Sequence, residues 1–70
     1  MFEIITSYKG YDLTHEEFDD SDGFIKNVYM VTKDSKWIKE VRKEDGQSYT
    51  YGRTDDLVVN FKRTVDLIIG

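Results

Sequence analysis

Four short polar breaks divide the first three-quarters of this chain, and they constrain its fold more than any other feature. "YKGY" (8–11) places Gly10 where a tight hairpin needs positive φ. "DSDG" (20–23), "KDSK" (33–36) and "EDGQ" (44–47) follow, the last containing Asp-Gly, a strong hairpin signal. Proline is absent, so every turn rests on Gly, Asp, Asn and Ser. Segments so closely spaced have no room for crossover helices, which favours an antiparallel meander.

The segments between the breaks read as strands: 2–8, 11–18, 24–33, 36–43 and 47–52. "FEIITSY" is β-branched and apolar. "YDLTHEEF" alternates, with Tyr11, Leu13, His15 and Glu17 opposite Asp12, Thr14, Glu16 and Phe18. Val28, Tyr29, Met30 and Val31 run in succession, as in a central strand covered on both faces. "KWIKEVRK" alternates too, although Trp37 and Val41, four apart, also allow a short helix.

The final quarter changes period. Leu57, Phe61, Val65 and Ile68 fall on one helical stripe, predicting a helix over 55–69. Thr54 is a natural N-cap, Asp55 and Asp56 suit the first turn, Gly70 suits the end, and Lys62 and Asp66 are spaced for an ion pair. The expectation is one α+β domain over residues 1–70: an antiparallel four- or five-stranded β-meander with one C-terminal amphipathic helix packed on one face. The stripe is expected to pack on Ile4, Val28, Met30 and one of Trp37 or Val41. Val59 and Leu67 lie off the stripe and are the candidate homodimer interface.

Seventy residues bury only ~60% of their unfolded surface, so the core must be well filled. A 39% hydrophobic and 14% aromatic composition supplies it and argues against disorder. With no cysteine, disulfides and thiolate metal sites are excluded, and the one histidine excludes a multi-histidine zinc site within the chain. No apolar run approaches the ~20 residues of a membrane helix, and the N-terminus lacks signal-peptide character. A cytoplasmic location is expected.

Charge is unevenly spread. Residues 1–24 hold seven acids against one base, a net of −6, whereas 25–54 hold seven bases against four acids, a net of +3. Five of the acids, Glu16, Glu17, Asp19, Asp20 and Asp22, stand within seven residues. An EF-hand loop aligned on Gly23 would have Phe18 at its first position and Tyr29 at its twelfth, where acidic ligands are needed, so no metal and no cofactor are expected. No nucleophile–base pair or phosphate-binding glycine loop is present, and no catalytic residues are assigned; the expectation is not an enzyme. His15 reads as a surface or edge residue. Lys33–Lys43 interleaves bases with Trp37, but Glu40, Glu44 and Asp45 interrupt it, so direct nucleic-acid binding is not expected.

A fixed array of carboxylates presents regular negative charge, as duplex DNA does at one charge per ~1.7 Å of axis. Asp12, Glu16, Asp20 and Asp22 are expected to form such a line, with Glu17 and Asp19 beside it and Phe18 and Phe24 as aromatic anchors. In composition and acidic pattern this short, cysteine-free chain resembles the small bacteriophage host-takeover proteins of the DNA-mimic type. The resemblance rests on Glu16, Glu17, Asp19, Asp20 and Asp22 with Asp12 and Glu3 nearby, and spans about a third of the chain. It implies an inhibitor that occupies the DNA-binding site of a basic host DNA-binding protein in the bacterial cytoplasm, with the histone-like protein HU as the leading candidate. The Lys33–Lys43 segment departs from uniform acidity and implies mimicry confined to one face. The alternative is a small protein-interaction module or accessory subunit with no DNA-mimic role.

Overall fold

The computed structural model describes residues 2–19, 21–49 and 55–70. Four strands form one antiparallel sheet in sequence order: β1 (Phe2–Tyr8), β2 (Tyr11–Asp19), β3 (Ile25–Lys33) and β4 (Lys36–Glu40). One helix, α1 (Leu57–Ile69), packs on β2 and β3. The fold is α+β, a four-stranded meander with a C-terminal helix.

Local chemistry accounts for the elements. Two-residue loops join β1 to β2 and β3 to β4, with positive φ at both central residues: Lys9 and Gly10 (52° and 85°), Asp34 and Ser35 (52° and 65°). That backbone matches the right-handed twist of a hairpin. At the other end of the fold, the Gly70 amide donates to the Asp66 carbonyl at 3.0 Å and closes α1. Asp56 is the N-cap, so Asp55 and Asp56 precede the helix and do not occupy its first turn. The expected cap Thr54 lies outside the described residues. So do residues 50–52 of the expected strand 47–52; its described part makes one isolated bridge, Ser48 with Arg42.

The core contains Leu13, Tyr29, Val31, Val41, Tyr49, Leu57, Phe61 and Val65, with Ile5, Tyr8, Tyr11 and Ile68 packed around it. The helical stripe is as expected, but the sheet surface beneath it is not. Register places Leu13 opposite Val31 and His15 opposite Tyr29, and this odd-numbered set faces α1. Ile4, Val28 and Met30 belong to the other parity and lie on the open face, where Ile4 is 58% exposed. Trp37 pairs with Thr32 on that open face too, and only Val41 of the two alternatives is core. Consecutive apolar residues in β3 satisfy either parity, so the alternation there is uninformative.

Two bulges complicate the pattern further. Ile5 is the extra residue between the Ile4–Thr14 and Thr6–Leu13 pairs, and it joins the core. Ile38 is the extra residue between the Val31–Lys39 and Thr32–Trp37 pairs. It ends the expected Trp37–Lys39–Val41 alternation.

Candidate functional site

β1 reaches no further along β2 than the Phe2–Glu16 pair, and β4 no further along β3 than Met30–Glu40. Beyond those points β2 and β3 continue as a two-stranded arm. Its ladder is Glu17–Asn27, Phe18–Lys26 and Asp19–Ile25, and Gly23 (φ 82°) lies in the turn. Every described residue from Glu17 to Lys26 is exposed. Such a ribbon carries little stability of its own and depends on the sheet at its base.

The arm concentrates one kind of chemistry. Glu17 and Asp19 share a face, ~6.8 Å apart along the strand. Asp22 stands in the turn. Among these acids lie large apolar side chains, Phe18, Ile25 and Phe24, the last 70% exposed. Asp20 lies outside the described residues.

The other expected acids are placed differently. Asp12 and Glu16 are half-buried on the open sheet face, and Asp12 accepts a hydrogen bond from Ser7 Oγ at 2.5 Å. Asp12 and Glu16 share that face, whereas Glu17 and Asp19 are on the opposite parity, so the acids of β2 divide between two faces. Of the described acids Glu17, Asp19 and Asp22 are in the arm, and Asp12 and Glu16 are in the four-stranded part of the sheet.

His15 is not a surface residue. It lies in a central strand with its side chain 12% exposed, and its ring stacks on Tyr29 at 4.8 Å between centroids. Nδ1 lies 3.0 Å from Glu3 Oε1 and Nε2 lies 2.6 Å from Asn27 Oδ1. Both ring nitrogens are thus engaged in tying β1, β2 and β3 together at the arm's base. Sequence spacing gave no signal for this clamp, because its members are brought together by register alone. Among the described residues no group of three or more His, Asp or Glu side chains is arranged to hold a metal ion.

Three bases of the basic segment, Lys33, Arg42 and Lys43, make internal contacts. Lys33 Nζ lies 4.7 Å from the Tyr11 ring centroid, Lys43 Nζ 5.7 Å from that of Tyr49, and Arg42 pairs with Glu40 at 3.1 Å. Val59 and Leu67 are exposed on the outer side of α1. Between them on the same ridge is Arg63, which pairs with Glu44 at 3.0 Å. Among the described residues no helix is long and apolar enough to cross a membrane.

No protein-family description, curated protein or solved structure matches this chain.

Proposed function

We propose that this protein is a non-enzymatic binding protein whose acidic arm occupies the DNA-binding site of a basic partner, as a DNA mimic does. The observation that supports this reading is the arm itself: exposed Glu17, Asp19 and Asp22 interleaved with exposed Phe18, Phe24 and Ile25 on a ribbon standing clear of the core. Its carboxylates attract a cationic groove over about a Debye length and speed encounter. Its apolar side chains supply the desolvated contacts that hold the complex. The histone-like protein HU is the leading candidate target, on the resemblance to phage host-takeover proteins.

The test is displacement of duplex DNA from HU, together with capture from bacterial lysate at low and high salt. The protein is expected to displace DNA, to bind no DNA itself, and to return basic DNA-binding proteins that salt releases. Changing Glu17 to Gln with Asp19 and Asp22 to Asn is expected to abolish displacement and leave the melting temperature unchanged, because exposed charges add little to stability. Failure to displace DNA from any captured basic protein overturns the mimic reading. A single salt-resistant partner that binds no DNA favours the accessory-module alternative.

A further inference from the structure

Among the described residues no element covers the sheet face opposite α1. Thr14 and Thr32 are buried there, so neighbouring side chains already close over the middle of the face. Around them Phe2, Ile4 and Trp37 are 53%, 58% and 53% exposed. With side chains of this class presenting ~150–250 Å² each, they and Phe18 leave on the order of 400 Å² of apolar surface on one side. An apolar area of about this size is that of the largest patch on a typical monomer and is often functional. It is about half of the ~800 Å² that a standard interface takes from each partner. Just over half of such an interface is apolar, so this face carries close to the apolar share that one requires.

We propose that a second copy of this chain covers this face, sheet against sheet, about a two-fold axis lying in the interface and perpendicular to the strands. Charge and register select that arrangement. The axis reverses the strand direction and keeps each strand over its own counterpart. Val28 then lies over Met30 of the second copy, and Phe2 over Ile4 of the second copy. Lys26, which makes no ion pair among the described residues, then reaches the row containing Asp12 and Trp37 of the second copy. There it finds a carboxylate on one side and an indole face on the other. An axis parallel to the strands would instead set Ile4 over Glu40 and Lys26 over Phe18 of the second copy. Aligned sheet packing at ~10 Å accommodates the first arrangement. On the outer side of α1, Arg63 separates Val59 from Leu67. Phe18 and Lys26 of the arm belong to this face, whereas Glu17 and Asp19 lie on the opposite parity, so the second copy shares the arm with the proposed partner.

Sedimentation equilibrium and the fluorescence of Trp37, the chain's single tryptophan, test it together. The mass is expected to rise from 8.3 kDa toward twice that value through the micromolar to millimolar range, with a parallel blue shift of the Trp37 emission. Lys26→Asp and Asp12→Lys each are expected to weaken association by about tenfold or more, and the double change to restore it. Ile4→Glu is expected to abolish it and Leu67→Glu to leave it intact, in variants whose circular dichroism matches the parent. A mass of 8.3 kDa at every concentration overturns the proposal. So does a dimer that Leu67→Glu dissociates and Ile4→Glu does not. A double charge exchange that fails to restore what the single changes lose overturns the antiparallel arrangement.

Discussion

Lys9 Nζ lies 2.9 Å from Asp66 Oδ1, so the first hairpin turn is tied to the C-terminal half of a helix 57 residues further on. Tyr8 Oη adds a 3.2 Å hydrogen bond to the same carboxylate. The hydrogen bond from Lys9 holds the Asp66 carboxyl below its ordinary value, and Asp66 in turn raises the Lys9 ammonium, with a smaller contribution from Tyr8. A depressed carboxylate contributes stability above its unfolded pKa and loses it as pH falls through the folded one; a raised lysine contributes below its unfolded pKa and loses it as pH rises through the folded one. Asp66→Asn is therefore expected to lower the melting temperature slightly at mid pH, with the difference from the parent vanishing at both extremes and shrinking with salt. A difference constant across all pH values would show that the pair does not act through charge. The expected helical pair Lys62–Asp66 gives way to this tertiary one, and Lys62 lies over the Tyr8 ring at 5.5 Å instead.

The two parities of the sheet predict opposite mutational outcomes. Phe61 is fully buried against the sheet, and Phe61→Ala is expected to cost ~3–5 kcal/mol, enough to unfold much of so small a domain. Ile4→Ala, on the open face, is expected to cost under ~1 kcal/mol in solution dilute enough to keep the chain monomeric. Urea unfolding measures both. Equal losses would mean that Ile4 faces the helix after all.

Ser35 occupies a left-handed backbone position with φ 65°, following Asp34 at 52°. Aspartate tolerates this region better than serine, and glycine accepts it without the steric cost of a β-carbon. Ser35→Gly is expected to stabilise the protein by about 1 kcal/mol, read as a higher urea midpoint at unchanged slope. A lower midpoint would show that the strain at this turn is already relieved elsewhere.

The arm is expected to open locally without global unfolding. Amides of Glu17–Asp19 and Ile25–Asn27 have ladder partners only in each other's strand, whereas those of Leu13 and Val31 lie within the four-stranded part above the core. Hydrogen exchange should therefore run orders of magnitude faster in the arm than at Leu13 and Val31. Uniform protection along β2 would contradict the picture of a free-standing ribbon. Binding of a cationic partner should slow exchange in the arm selectively.

Local signals in the sequence sufficed for the elements. Gly10 and the "DSDG", "KDSK" and "EDGQ" breaks bound the first four strands to within about three residues, because a turn is decided by the φ preferences of the few residues inside it. The helical stripe Leu57–Phe61–Val65 was equally legible, since a 3.6-residue period has one apolar side. The −6 block was visible as composition, but its division between an open sheet face and an arm was not.

What only the tertiary structure decided is which side of the sheet meets the helix, and which polar groups meet across strands. The run Val28–Tyr29–Met30–Val31 offers apolar side chains to both faces, so the choice fell to packing: the set with Leu13, Tyr29 and Val31 closes on Phe61, while Ile4, Val28 and Met30 are left on the other side. Asn60 illustrates the second kind. It interrupts the apolar stripe, yet it is buried beneath α1 and its Nδ2 donates to Tyr49 Oη and, at 3.3 Å, to Asp56 Oδ2. Its Nδ2 has these partners and its Oδ1 has none among the described residues, and a partner eleven residues away carries no periodicity for a sequence to display. The same holds for the His15 clamp and for the Lys9–Asp66 tie. Sequence determined the elements and their chirality through short-range sterics; long-range register determined the faces, the clamp and the arm.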